Sequence, residues 1–238
     1  MGPLGKDLSA RDIKLKKLSF LSIHPDFIKN YLSFGPLASA IEKQKLKCDA
    51  INLRDFAIDK HGTVDGRPFG GGDGMVLRPE PISAAIESSD QPFVVLSSPR
   101  GKPWKQDMIY EFLTMRKHIY FICGRFSGVD QRIIDRYVDQ EVSCGDFVLS
   151  GGELPSLMIA DTLVRMIPGV LGHQDSALYD SFSDAYNGLL EQDLYTRPSD
   201  FKGQKVPDVL LSGNHQNIEK WQAQQRLLCS KKYRSDLL

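Results

Sequence analysis

Short apolar runs alternate along the chain with segments whose apolar positions recur at helical spacing. The run at residues 18–23 predicts a strand, and residues 26–37, after His24-Pro25, predict a helix. Residues 93–96 and 119–123 are compact apolar runs, as expected of strands covered on both faces of a parallel sheet. Strands that alternate with helices in this way are typical of the α/β class.

The remaining pattern divides the chain into a larger and a smaller part. Residues 106–115 and 154–167 have helical spacing, and residues 59–73, rich in Gly, Asp and Pro, predict a long loop. Residues 172–188 are polar with few apolar anchors, so they predict a linker. Residues 217–229 then predict an amphipathic helix in a small terminal module.

The composition is that of a soluble globular protein. Of the 238 residues, 41% are hydrophobic and 25% charged, which allows a sizeable core. A disordered tail protein, a collagen-like fibre and a small disulfide scaffold are excluded. No stretch approaches the ~20 apolar residues of a membrane span. The polar, basic first residues are not a secretory signal, so we expect no membrane association.

The four cysteines indicate reduced thiols. Cys48, Cys123, Cys144 and Cys229 match no clustered metal-ligand spacing, and we expect structural thiols rather than metal ligands. Reduced thiols favour a cytoplasmic protein.

Charge is balanced overall but uneven along the chain. Thirty Lys and Arg residues face thirty Asp and Glu residues. Residues 1–49 hold nine basic against five acidic residues, residues 50–186 hold 13 against 19, and residues 187–238 hold eight against six. Basic ends permit contact with nucleic acid without requiring it.

Three glycine-rich segments, at residues 70–74, 124–128 and 143–155, predict a pocket. Glycine lets backbone approach a ligand closely, and ligands of open α/β sheets bind beyond the carboxyl ends of strands. Neither G-x-G-x-x-G nor G-K-[ST] is present, so the segments are not a dinucleotide fingerprint or a phosphate loop.

The polar residues alone leave the reaction open. Asp161 and Arg165 are four residues apart on one predicted helix and can pair on its surface, and Asp180 is by default a loop or cap carboxylate. The five histidines form no Ser-His-Asp order and no metal cluster. The residues thus predict an α/β enzyme with a glycine-lined cofactor pocket and a small helical appendage.

Several specific motifs, in order from about residue 18 to the C-terminus, carry a family resemblance. They occupy residues 63–75, 123–125, 145–155, 167–173, 180–182, 195–198 and 206–215. With these strings the chain resembles the bacterial tRNA (guanine-N1)-methyltransferases of the SPOUT superfamily.

The resemblance implies a trefoil-knotted α/β methyltransferase domain with a parallel sheet, plus a small C-terminal helical domain. The expected segments are an N-terminal extension, partly a tag remnant (1–17), the knotted domain (18–171), an interdomain linker (172–188) and a helical tRNA-binding domain (189–238). It also implies a cytoplasmic homodimer whose active sites are shared between subunits.

The implied reaction moves the methyl group of S-adenosylmethionine to N1 of the guanosine immediately 3′ of the tRNA anticodon, which supports reading-frame maintenance. By resemblance Asp180 is the general base, Arg165 stabilises negative charge on guanine O6, and Arg197, His215 and Ser181 bind substrate. Magnesium use is implied as well, although no metal ligands are readable. The implied cofactor-binding residues are Ser98, Pro99, Gly124, Cys144, Gly145, Asp146, Phe147, Val148, Leu149, Gly151, Gly152 and Pro155.

The chain also departs from the family pattern. Ser127 stands where an acid is expected, Asp73 where a proline is expected, and Cys144 where an aliphatic residue is expected. Two alternatives compete with the methyltransferase hypothesis. One is a catalytically silent RNA-binding relative, and the other is an unrelated α/β nucleotide-binding enzyme.

Overall fold

The computed structural model describes residues 12–172 and 177–238. The chain forms two compact units, divided in sequence between Gly172 and His173. The first is built on a five-stranded sheet, and the second is small and contains one long helix.

The sheet of the first unit has the order β2-β1-β6-β5-β7, and every neighbouring pair is parallel. A two-residue antiparallel pair, β3 with β4, lies outside it. The strands are β1 (Lys17–Ser22), β2 (Lys47–Asn52), β3 (Asp65–Gly66), β4 (Val76–Leu77), β5 (Phe93–Pro103), β6 (His118–Ile122) and β7 (Gln140–Ser143). The helices are α1 (Pro25–Leu32), α2 (Gly35–Glu42), α3 (Pro79–Glu87), α4 (Gln106–Met115), α5 (Gln131–Tyr137) and α6 (Glu153–Arg165).

Two hydrophobic cores cover the two faces of the sheet. Phe20 and Phe121 point into the larger core, which α1, α2, α4 and α6 complete. Leu21, Tyr120 and Ile122 point into the smaller core, which contains residues of α3 and α5. Neighbouring residues of one strand therefore enter opposite cores, and the prediction of a parallel sheet buried on both faces is confirmed.

Several predicted elements have different bounds. The single helix predicted over residues 26–37 is wrong, because α1 ends at Leu32 and α2 begins at Gly35. Gly35 has a φ of +62°, and Pro36 lacks the N–H that a continuing helix needs. The run at 93–96 continues to Pro103 with a register shift against β7, where Gly101 passes close to the backbone of Val142. The prediction for 106–115 matches α4.

Residues just before β1 belong to the larger core. Ile13 is 6% exposed and Leu15 is fully buried. The Leu15 N–H donates to the Leu113 carbonyl at 3.1 Å, and the Lys16 N–H donates to the Lys117 carbonyl at 2.8 Å. The later part of the predicted N-terminal extension is thus packed as part of the first unit.

The second unit is organised around one long helix. It contains α7 (Asp208–Leu211), the 19-residue α8 (His215–Tyr233), and the antiparallel pair β8 (Asp200–Phe201) and β9 (Gln204–Lys205). The helix predicted over 217–229 is therefore confirmed and extends further at both ends. Among the described residues, no helix is long and apolar enough to cross a membrane.

Candidate active site

A cleft of about 220 Å³ opens beside the middle of β5 and beyond the carboxyl ends of β6 and β7. The segments that follow β6 and β7 supply most of its walls, as expected for ligand sites of parallel α/β sheets. Its lining residues are Ser97, Ser98, Pro99, Gly124, Arg125, Phe126, Ser127, Gly128, Val142, Ser143, Cys144, Gly145, Phe147, Val148, Leu149, Ser150, Gly151, Gly152 and Pro155.

Two glycine-containing segments touch backbone to backbone in this cleft. The Gly152 N–H donates to the Gly124 carbonyl at 2.8 Å, and Arg125 forms an antiparallel bridge with Gly151. A Cβ on Gly152 would lie 2.7 Å from the Gly124 nitrogen and 2.7 Å from Ser97 Oγ. This approach is possible only because Gly152 has no side chain.

A buried ion pair stabilises the contact between these two glycine-containing segments. Arg125 Nε donates to the two Glu153 carboxylate oxygens at 3.2 and 3.0 Å, and Arg125 Nη1 donates to the Ser150 carbonyl at 3.2 Å. The Glu153 side chain is 3% exposed and also accepts from Ser22 Oγ at 2.7 Å. With these partners the buried carboxylate is well satisfied, and it ties β1 to the segments on both sides of the cleft.

Two polar side chains of the cleft lack strong partners of their own. The Ser97 hydroxyl is buried without a hydrogen-bond partner among the described residues. Burial raises the pKa of the half-buried Cys144 thiol, so Cys144 stays neutral near pH 7. The cleft thus offers an unused hydroxyl and a neutral thiol beside backbone N–H and C=O groups.

The glycine-rich loop at residues 70–74 approaches the cleft through Ser127. The Ser127 N–H donates to the Met75 carbonyl at 2.8 Å. A Cβ on Gly74 would collide with Ser127 Oγ, and Gly74 has a φ of +97°. Ser127, which stands where the family pattern has an acid, therefore packs against this loop.

Arg165 lies in the last turn of α6, where a cation suits the helix dipole. Burial raises the pKa of Asp161, one turn earlier, and the positive charge of Arg165 opposes that rise. Beyond the helix, Lys43 Nζ donates to the Gly169 carbonyl at 2.9 Å and Ser39 Oγ to the Val170 carbonyl at 2.9 Å. Contacts from α2 thus fix the backbone that leaves α6.

In the second unit, Asp180 begins a turn closed by backbone hydrogen bonds. The Ser181 N–H donates to Asp180 Oδ1 at 2.8 Å, and the Phe182 N–H donates to the Leu189 carbonyl at 2.9 Å. Ser181 Oγ accepts from the Glu191 N–H at 2.9 Å. We call residues 180–191 the Asp180 loop.

The Asp180 loop is anchored on the second half of α8. The Leu190 N–H donates to the buried Ser230 hydroxyl at 2.9 Å. Arg226 lies 4.2 Å from the centre of the Tyr186 ring. Burial, and next the charge of Asp180, raise the pKa of Glu191, while Arg226 opposes the rise. Two carboxylates and one guanidinium therefore share this part of the second unit.

Comparison with known proteins shows which family has this sequence. The family model for tRNA (Guanine-1)-methyltransferase TrmD matches residues 16–238. The chain is 47% identical over 225 residues to the tRNA (guanine-N(1)-)-methyltransferase of Staphylococcus haemolyticus strain JCSC1435, covering 93% of this chain and 90% of that protein. The corresponding proteins of Staphylococcus carnosus strain TM300 and Staphylococcus aureus strain JH9 are 46% and 47% identical with the same coverage.

The chain belongs to the tRNA (guanine-1)-methyltransferase family. The resemblance inferred from the motifs is confirmed, and it extends over nearly the whole chain. The unrelated α/β nucleotide-binding enzyme is excluded.

Eleven of the twelve residues that the family resemblance implied for cofactor binding line the cleft together. Asp146 is the exception, since it is exposed and does not line the cleft. The prediction omitted eight lining residues, among them Ser97 in β5 and Arg125, which lies within the glycine-rich segment 124–128.

The implied substrate-binding residues are spread over the second unit. Ser181 lies in the Asp180 loop, whereas Arg197 is exposed in an irregular segment and His215 is the exposed first residue of α8. His173, which belongs to one of the family motifs, lies outside the described residues. Within residues 12–172 and 177–238, no group of three His, Cys, Asp or Glu residues could hold a metal ion.

Proposed function

We propose that this protein transfers the methyl group of S-adenosylmethionine to N1 of the guanosine immediately 3′ of the tRNA anticodon. The observation that carries the proposal is the cleft built from two touching glycine segments in a chain of the tRNA (guanine-1)-methyltransferase family. Its relatives are named for the same base atom. In the cell this modification supports reading-frame maintenance in the cytoplasm.

The proposed fold is the trefoil-knotted SPOUT domain followed by a helical tRNA-binding domain. Support comes from the segment before α6, where Gly151 and Gly152 contact Gly124 and Arg125 after β6. The chain then returns as α6 to the core on one sheet face. Knotted chains are rare among proteins, so we expect a knot here only because the proposed SPOUT fold contains one.

The cleft fits S-adenosylmethionine by its shape and donors. Backbone groups of residues 144–149 would hold the cofactor, and Val148, Leu149 and Pro155 would supply apolar surface to it. The unpartnered Ser97 hydroxyl would gain a hydrogen-bond partner from the bound molecule. When bound, the sulfonium supplies a methyl group that is already activated, so the protein has to position the acceptor and accept one proton.

Guanine N1 is a poor nucleophile while it carries its proton. Asp180 is the proposed general base for that proton, and Arg165 would stabilise the negative charge that develops on O6. The turn around Asp180 leaves its Oδ1 accepting from Ser181 and is closed by backbone bonds. Contact between tRNA and this loop would couple proton removal to binding of the correct substrate.

A homodimer with active sites shared between the subunits is part of the proposal. Support comes from apolar side chains exposed on helices of the first unit: Phe27 is 45% exposed, Tyr31 41%, Leu154 53% and Met158 42%. Such exposed apolar surface is typical of a protein interface.

Mixed dimers test whether sites are shared. Inactive Arg165→Ala and Asp180→Ala proteins are mixed, allowed to exchange subunits and assayed for methylation. If each site takes these residues from different subunits, a mixed dimer has one intact site and activity returns. If both residues come from the same subunit, activity stays absent.

The decisive experiment is methylation in vitro with S-adenosylmethionine and tRNA transcripts. A transcript with guanosine 3′ of the anticodon should accept methyl at N1, and a transcript with adenosine there should not. Calorimetry should detect S-adenosylmethionine binding in the absence of tRNA. Absence of both binding and methylation would contradict the proposal and favour a silent RNA-binding relative.

A further inference from the structure

A group of lysines in the first unit lies away from the cleft. β1, β2 and β6 are parallel, so their amino ends meet at one edge of the sheet, whereas the cleft lies beyond carboxyl ends. Four exposed lysines stand at or just before these amino ends. These lysines, which we call the basic edge, are Lys14, Lys16, Lys47 and Lys117.

The backbone holds the four lysines next to one another. The Lys16 N–H donates to the Lys117 carbonyl at 2.8 Å, and the Lys47 N–H donates to the Lys16 carbonyl at 2.9 Å. The Lys14 N–H donates to the Leu113 carbonyl at 2.9 Å. Adjacent strands are about 4.8 Å apart, so the positive charges are concentrated over three neighbouring segments. Buried Ile13 and Leu15 hold the first of these segments in place.

Three acidic groups near this edge have partners other than these four lysines. Asp49 pairs with Lys17 at 2.7 Å, and Glu111 pairs with Arg116 at 3.4 Å. Asp90 lies beside His118, whose pKa is lowered by burial and by Lys17. Across residues 12–172 and 177–238, none of the four lysines of the basic edge forms an ion pair. Their charge therefore remains available to an external anion.

We propose that the basic edge binds the phosphate backbone of the substrate tRNA at a place remote from the methylated guanosine. The inference rests on the proposed function, which brings a large polyanion to this protein. A six-residue strand such as β1 spans about 20 Å, so the basic edge and the cleft cannot contact the same nucleotide. Because duplex nucleic acid carries about one phosphate per 1.7 Å of axis, one RNA molecule can present phosphates to both.

The charge pattern favours RNA over other anionic partners. The overall charge is zero, so attraction depends on local concentration of lysines rather than on the whole chain. The apolar residues of the segment before β1 are buried in the core and unavailable for insertion into a lipid bilayer. Because the four lysines stand on adjacent, hydrogen-bonded segments, they can contact neighbouring phosphates of one RNA molecule.

A matched pair of fourfold variants tests the proposal in the full-length protein. The edge variant combines Lys14→Gln, Lys16→Gln, Lys47→Gln and Lys117→Gln. The control combines Lys29→Gln, Lys60→Gln, Lys102→Gln and Lys105→Gln, four exposed lysines elsewhere on the first unit. Both variants lose the same net charge, so a general effect of charge is cancelled.

The readout is the Kd for tRNA at a series of salt concentrations, measured with S-adenosylmethionine affinity in parallel. The edge variant should bind tRNA at least tenfold more weakly at low salt. A plot of log K against log salt concentration should have a slope smaller in magnitude than that of wild type by about 3. This value corresponds to the loss of four phosphate contacts at about 0.7–0.9 each. The control should stay within about threefold of wild type, and S-adenosylmethionine affinity should be unchanged in both.

The outcomes separate this inference from the proposed function. An equal loss of tRNA affinity in both variants, or no loss in the edge variant, would overturn the proposed role of the basic edge. Methylation by the wild-type protein would still support the proposed enzyme. Wild type that neither binds nor methylates tRNA would overturn both. Binding to phosphatidylserine vesicles that only the edge variant loses, with tRNA affinity unchanged, would assign the edge to a lipid surface instead. A Lys16→Gln, Lys117→Gln double variant should show about half of the slope change.

Discussion

The cleft and the Asp180 loop are held in different ways. The cleft is fixed by backbone contact between Gly152 and Gly124 and by the buried pair of Arg125 with Glu153. The Asp180 loop is fixed by turn hydrogen bonds and by one buried hydroxyl, Ser230. The first region is therefore held by a backbone contact and a buried ion pair, while the second relies on hydrogen bonds and on the contact of Arg226 with the Tyr186 ring.

This difference suits the two proposed tasks. A pocket whose shape is already fixed binds a small molecule more tightly, because no free energy of binding is spent on ordering the protein. A loop that carries a base can be stabilised further when the large substrate binds, which links chemistry to recognition. The regions should accordingly respond to mutation in different ways, with changes in the cleft altering affinity and stability, and changes in the loop altering rate.

The largest expected effect is on the loop. Asp180→Ala should lower kcat about a thousandfold, within the range of general-base catalysis, because no other carboxylate is proposed for the N1 proton. S-adenosylmethionine affinity and thermal stability should stay at wild-type values. Single-turnover methylation and calorimetry measure these quantities.

The control for this variant is Asp184→Ala, an exposed carboxylate of the same loop. It should keep kcat within about threefold of wild type, as expected for surface substitutions. Similar losses from both variants would show that the loop's charge, rather than a base at Asp180, matters.

The next effect concerns the buried pair in the cleft. Glu153→Gln should lower the free energy of unfolding by about 3 kcal/mol, because Arg125 would keep its charge without a carboxylate partner. Urea denaturation measures the change. Glu111→Gln, which removes the exposed partner of Arg116, should cost less than about 1 kcal/mol; an equal cost would contradict the role assigned to the buried pair.

Gly152→Ala should weaken S-adenosylmethionine binding by about 5- to 150-fold, corresponding to about 1–3 kcal/mol of overpacking. The added Cβ would meet backbone at Gly124 and Cys123, neither of which can move freely. Calorimetry checks the affinity. Gly172→Ala is the control, since no atom of residues 12–172 or 177–238 lies within 4 Å of its Cβ position, and it should bind like wild type.

The smallest effect should come from the anchor of the Asp180 loop. Ser230→Ala removes the acceptor of the Leu190 N–H and should cost about 1 kcal/mol of stability. It should also lower kcat by a few fold without changing S-adenosylmethionine affinity. Gln224→Ala, exposed on the same helix, should change neither quantity. A loss of cofactor affinity in Ser230→Ala would contradict the separation of the two regions.

The sequence predicted much of this picture. Apolar runs located the central strands, because strands of a doubly covered parallel sheet are apolar on both faces. Helical spacing located α4 and α6 closely and placed Arg165 in the last turn. The family resemblance predicted eleven of the residues that line the cleft, although they lie in separate parts of the sequence. Helices α3 and α5 were missed, since they are short and their apolar positions fit several patterns.

By itself, the sequence determined the family, the α/β class and the set of candidate residues, since motifs and hydrophobic period are local properties. Only the tertiary structure decided which groups meet. The contact of Gly152 with Gly124, the pairing of Arg125 with Glu153 and the grouping of Lys16, Lys47 and Lys117 join residues separated by tens of positions. Such pairings depend on strand order and loop crossing, which no local pattern specifies.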